Sequence, residues 1–138
     1  MTKLNSYLNF DGKTEEAFNF YKSVFGGEFL GGIHRMGDMP GMEIPEEAKN
    51  RVLHVTLPIG DDVLMGSDIF PGSPLVQGNN NYISVSSDSR EEADRVFAAL
   101  SEGGVVEMLM QDQFWGEYFG SLQDKFGIWW MIDYRAED

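Results

Sequence analysis

The feature that most constrains this chain is that it repeats itself. Asp11 is followed by Glu15-Glu16-Ala17 and then by Gly26-Gly27, and the second half answers with Asp88, Glu91-Glu92-Ala93 and Gly103-Gly104. A shared Glu-Glu-Ala alone would mean little. Here it recurs inside the same order of elements, closed both times by a glycine pair of the kind that stops a helix.

In the first half, Leu4 to Phe10 reads as a strand and Asp11 to Thr14 as a turn, with Thr14 as helix N-cap. Ala17, Phe20, Tyr21, Val24 and Phe25 then fall on one helical face. Phe29 to Arg35 is expected to be a strand weakened by Gly31-Gly32. Arg51 to Ile59 and Val63 to Ser67 form a hairpin about Asp61-Asp62. In the second half, strand Tyr82 to Ser86 leads into Ser89-Arg90-Glu91-Glu92, which has capping-box spacing. Ala93, Val96, Phe97 and Leu100 make the helical stripe, and strands follow at Val105–Met110, Tyr118–Leu122 and Ile128–Tyr134. The expectation is an α+β fold of two βαβββ modules, residues 1–68 and 82–138, within one domain. Residues 69–81 join them, carrying Pro71-Gly72-Ser73-Pro74 and Gly78-Asn79-Asn80-Asn81. Residues 36–50 read as a loop too acidic and broken to pack, in which Met36, Met39 and Met42 line a lid or the chain is disordered.

A single helix covers only one face of its sheet. The other face must curve around the second module, a partner chain or a ligand, so it is where a pocket belongs. Side-chain alternation places Leu53, Val55 and Leu57 under the helix and Val52, His54 and Thr56 on the open side. By the same rule Trp129, Met131 and Asp133, and Tyr82, Ser84 and Ser86, face the cavity, while Ile128, Trp130, Ile132, Ile83 and Val85 are core. A slip of one residue would invert each assignment.

Charge narrows the ligand. The net charge is −13, with 10 basic against 23 acidic residues, which disfavours a phosphate backbone as partner. The acidity serves solubility or draws a cationic ligand. No apolar run is long enough for a membrane span, and Met1 to Asn5 lacks the apolar core of a signal peptide, so a cytoplasmic location is expected. Without cysteine there are neither disulfides nor thiolate metal sites.

His54 is the candidate acid or base, since histidine alone ordinarily titrates near neutrality; its other reading is a hydrogen-bonding residue of the cavity. Trp115, Tyr118 and Trp129 either form an aromatic wall or close an interface between modules or subunits. No clustered metal motif, nucleophile elbow or phosphate-binding loop is present. Glu15-Glu16 and Glu91-Glu92 suit the first turns of helices electrostatically.

Four stretches carry a family resemblance: Val52-Leu53-His54-Val55, Met65-Gly66-Ser67-Asp68, Gln113-Phe114-Trp115-Gly116 and Asp124-Lys125-Phe126-Gly127-Ile128-Trp129-Trp130-Met131-Ile132. With the repeated module and Phe20 to Gly26, the chain resembles the vicinal oxygen chelate superfamily, home of glyoxalase I, bleomycin-resistance proteins and extradiol dioxygenases. Within it, the chain is most similar to the PhnB-like branch, often labelled demethylubiquinone-methyltransferase-like. The resemblance implies a homodimer with a small-molecule site lined by His54, Met65, Tyr82, Trp115, Tyr118, Trp129 and Met131. Enzymes of the superfamily hold a divalent metal through His or Glu at positions that correspond here to Ser6, Met65, Tyr82 and Met131. Thioethers, a phenol and a hydroxyl are poor ligands for such an ion, so no metal cofactor is expected. One alternative is a metal-dependent lyase, isomerase or dioxygenase using His54 with Asp68, Asp112 or Asp133. Another is sequestration of a planar cationic compound, as in bleomycin resistance. No glycine-rich loop of the kind a methyltransferase cofactor uses is read.

Overall fold

The structure is a computed structural model that describes residues 1–136. The chain divides into two units, Met1–Val76 and the part that begins at Gln77. In the first, β1 (Ser6–Phe10), α1 (Thr14–Phe25), β2 (His34–Arg35), β3 (Val52–Ile59) and β4 (Asp62–Asp68) follow in sequence. In the second, β5 (Ile83–Ser86), α2 (Arg90–Ser101), β6 (Val105–Asp112), β7 (Tyr118–Gln123) and β8 (Trp129–Tyr134) repeat that order. The sheets correspond strand for strand, β1-β4-β3-β2 and β5-β8-β7-β6. In each, the first strand of the module forms one edge and pairs in parallel with the last, and the other neighbours pair antiparallel. The fold is α+β, built of βαβββ modules.

Each helix sits on one face of its own sheet. Ala17, Phe18, Tyr21 and Val24 of α1 are buried, as are Ala93, Val96, Phe97 and Leu100 of α2. Both sheets leave room for a phenylalanine by placing a glycine beneath it. A Cβ on Gly66 would stand 2.5 Å from the Phe18 ring, and one on Gly120 would meet Met110 Sδ at 2.6 Å and the Phe97 ring at 3.0 Å.

Two buried aspartates tie the frame together. Asp68 accepts from the Thr14 amide (3.2 Å), the Thr14 hydroxyl (2.7 Å) and the Val52 amide (2.8 Å). The end of β4 therefore caps α1. Thr14 is not the cap expected of it; it is the buried first residue of the helix, and its hydroxyl donates to a strand. Asp124 accepts from the amides of Phe126 (2.8 Å) and Ile128 (3.0 Å) and from the Trp130 indole (2.8 Å). The Asp124-to-Gly127 turn thus seats the largest side chain of the second core.

Three further expectations change. Only His34–Arg35 of residues 29–35 is a strand, because Gly31 and Gly32 hold positive φ (73° and 74°) and break the extended run. Residues 36–50 contain two 3-10 turns, and they do pack: Met36 and Ala48 are buried, and the Met36 and Gly37 amides bond Arg51 and Lys49 carbonyls. Met36 is core and lines no lid. Val52 is 1% exposed, with its amide committed to Asp68, whereas Leu53 is only half-buried. Among the described residues no helix is long and apolar enough to cross a membrane.

Candidate functional site

The uncovered face of each sheet follows from its register. In the first unit, Gly66 and Asp68 turn toward α1, so Tyr7, Met65 and Thr56, aligned across three strands, turn away from it. Tyr7 Oη lies 3.2 Å from His54 Nδ1, and His54 Nε2 lies 2.9 Å from Thr56 Oγ1. Both ring nitrogens therefore meet hydroxyls that can donate or accept, and these hold the imidazole in place in either tautomer. Tyr7 and His54 also lie ring to ring, 5.7 Å apart and tilted by 31°. Ser67 donates to Asn9 beside them (3.2 Å). Ser6 needs correction: it pairs with Leu64, on the helix side, so the residue beside Met65 on the open face is Tyr7. One step of strand register accounts for the difference.

In the second unit, Leu122, Trp130 and Ile83 align on the helix side, which leaves Ser121, Met131 and Ser84 aligned on the open side. Tyr82 and Trp129 stand next to them edge to face, with centroids 5.7 Å apart at 62°. Glu107 completes the group. Its carboxylate accepts from Tyr82 Oη (2.8 and 3.0 Å) and from Ser121 Oγ (2.8 Å). That bond, followed by burial and the nearby negative charge, raises the Tyr82 phenol above its ordinary pKa, so Tyr82 keeps its proton and stands as a hydrogen-bond donor to Glu107. Asp133 lies further along β8, and one of its oxygens is buried without a hydrogen-bond partner among the described residues.

The expected wall of Trp115, Tyr118 and Trp129 does not assemble. Tyr118 pairs with Tyr134 and Gln123 with Trp129, which puts Tyr118 and Trp129 at opposite ends of the β7–β8 ladder. Tyr118 instead donates to Asp94 (2.6 Å), takes the Arg90 guanidinium over its ring (4.4 Å) and lines a recess of about 340 Å³ with Ser89, Arg90 and Tyr134. Its phenol is also raised in pKa, first by the bond to Asp94. Trp115 is exposed at the tip of the β6–β7 hairpin, edge to face with Phe114 (5.0 Å, 89°).

Tyr7, Glu107 and Ser121 are site residues that pattern reading missed. Tyr7 was displaced by the one-residue slip, and Ser121 looked like one more polar residue of a strand. Glu107 lies in a strand whose pairing is irregular, which periodicity does not show.

A divalent metal of the superfamily kind does not fit these donors. The open faces offer Tyr7, Met65 and His54 in one unit and Tyr82, Ser84, Met131 and Glu107 in the other, and no three His, Cys, Asp or Glu converge among the described residues. Of the carboxylates expected beside His54, two are engaged elsewhere: Asp68 holds α1, and Asp112 pairs with Arg90, which leaves Asp133.

The model of the 3-demethylubiquinone-9 3-methyltransferase family matches residues 2–133. The chain belongs to this family. Protein PA1353 from Pseudomonas aeruginosa is 35% identical, with a TM-score of 0.89 over 99% of this chain and 100% of that one. A putative 3-demethylubiquinone-9 3-methyltransferase, PhnB protein, from Bacillus cereus is 29% identical, with a TM-score of 0.77 over 96% of this chain and 99% of that one. A glyoxalase/bleomycin resistance protein/dioxygenase family enzyme from Burkholderia phytofirmans PsJN shares the fold at 16% identity, with a TM-score of 0.65 over 95% and 98% of the two chains. This chain is thus a PhnB-like member of the vicinal oxygen chelate superfamily.

Proposed function

We propose that this PhnB-like chain binds a small organic molecule on the open sheet face of its second module, residues 82–138. The first module, residues 1–68, and the joining segment 69–81 complete the scaffold. The observation that carries this reading is the Tyr82–Trp129 pair set beside aligned Ser84, Met131 and Ser121. Rings, a thioether and hydroxyls in one place suit a flat ligand that needs a few polar contacts. His54, held between Tyr7 and Thr56, is the polar residue of the first module's face and the candidate for proton transfer should the bound molecule react.

A homodimer in the cytoplasm is part of the same proposal. Edge strand β6 exposes Val105, Val106, Met108 and Leu109, an apolar run of the kind that a second copy covers. Light scattering behind gel filtration checks this, and a monomer at micromolar concentration would remove it.

The ligand reading is tested by thermal denaturation against a panel of small aromatic compounds. A ligand present at a hundredfold excess over its Kd should add about 2.7 kcal/mol of stability. Trp129→Ala should abolish the increment. If no compound stabilises the protein, or if the variant responds as the wild type does, the second-module site is wrong.

A further inference from the structure

Glu107 differs from several other carboxylates of the chain. Glu15 and Glu92 are matched by Arg35 and Arg95, and Asp112 by Arg90. Among the described residues, no lysine or arginine pairs with Glu107; its partners are two neutral hydroxyls.

The backbone brings it there. Val106 pairs with Leu122 and Met108 with Ser121, so two steps along β6 match one along β7, and Glu107 is the extra residue. Val106 is the partner of helix-side Leu122, so alternation puts the Glu107 carboxylate on the open face, against Ser121, and the bulge lets Met108 pair with Ser121 while Glu107 stays unpaired beside it. Tyr82 reaches Glu107 from the opposite edge, since β5 and β6 are the outer strands. Three strand spacings of roughly 4.8 Å separate those edges in a flat sheet, so the bond requires the sheet to curl toward its open side. The result is a carboxylate at the rim of a concave surface, next to Tyr82 and, through it, to Trp129.

Both hydroxyls donate to Oε1 at 2.8 Å, whereas Oε2 receives only the longer contact of 3.0 Å from Tyr82. A carboxylate has about four acceptor positions, so Oε2 can take a further donor. A charged N–H donor gains most there, because the anion has no other cation and the nearby rings attract positive charge on their faces.

We propose that Glu107 anchors a protonated amine carried on an apolar or aromatic body. The amine bonds Oε2 while Tyr82 and Ser121 hold Oε1, and the body lies against Trp129 and Met131. This rests on the small-molecule reading above and adds the ligand's charge to it.

The test is calorimetric titration with phenethylamine and tryptamine beside their neutral counterparts, 2-phenylethanol and tryptophol. The amines should bind about tenfold more tightly than the alcohols, the worth of one charge-assisted hydrogen bond. Glu107→Gln keeps an acceptor for the two hydroxyls and removes the charge. It should erase that preference, while Asp61→Asn, which removes a charge from an exposed turn of the first unit, should leave it. The wild-type comparison does not depend on how well any variant folds. Amines no tighter than alcohols, or a preference that both variants weaken equally, would overturn the assignment. If alcohols bind and Trp129→Ala abolishes them while amines show no advantage, the charge inference fails alone. If none of the four compounds binds, both readings fail.

Discussion

The two modules share a frame and differ on the surface that the frame leaves open. In both, a parallel strand pair at one edge of the sheet, a helix stopped by glycine and a buried aspartate recur. Asp68 joins strand to helix, and Asp124 joins turn to tryptophan. Away from the helices the likeness ends. One face carries an imidazole between two hydroxyls; the other carries an unmatched carboxylate beside an aromatic pair. Residues that close the core are held by what they touch. On the open face Thr56 and Ser121 are buried too, but Tyr7, Tyr82 and Trp129 are not, and these can be set by a ligand.

The comparison is easiest to break at the aspartates. Asp68→Ala and Asp124→Ala each strand three donors, and each should cost about 3 kcal/mol or more in urea unfolding. A loss under about 1 kcal/mol for either would show that the modules are not held alike. The glycines come next. Gly66→Ala forces a methyl group against a fully buried ring and should cost about 1–3 kcal/mol. Gly120→Ala should cost less, because the nearest atom belongs to flexible Met110. Denaturant midpoints for the pair decide the order.

Ligand binding sharpens the contrast between faces. Trp129→Ala should weaken an aromatic ligand by about a hundredfold or more, and His54→Gln by less than about twofold, read by titration. Equal losses would mean that the two faces share the ligand.

The smallest effect is electrostatic. The Arg35 hydrogen bond holds the Glu15 pKa below its ordinary 4.5. A depressed carboxylate stabilises the fold above its unfolded pKa, and the gain disappears as pH falls through the folded value. Glu15→Gln should therefore cost up to about 1 kcal/mol at neutral pH and nothing at strongly acid pH, because the pair is partly exposed. Stability curves at the two pH values check the sign.

Much of the frame was legible in the letters. Alternation and helical spacing report burial, and burial is what the paired halves repeat. His54 and Thr56 on one side of β3, with Val55 and Leu57 on the other, follow from period two alone. The faults have local causes. Gly31 and Gly32 end a strand that composition would have continued, and Met36 packs because the ends of its loop bond back to the chain near β3. Ser6 and Tyr7 exchanged places because nothing in a short strand marks which residue is first on the sheet. Alternation alone would put Glu107 on the open face, but its bonds to Tyr82 and Ser121 were beyond reach, because they join separate strands and strand pairing is long-range.

The exposed strand β6 has one more consequence. An apolar edge invites strands from other molecules, and left regular it could seed unlimited stacking. Its ladder with β7 is interrupted twice, between Val106 and Met108 and between Met108 and Gln111. An incoming strand would find no long even row of amides and carbonyls to copy. The surface can stick, yet it cannot propagate, so any assembly built on it should stop at a closed, finite number of copies.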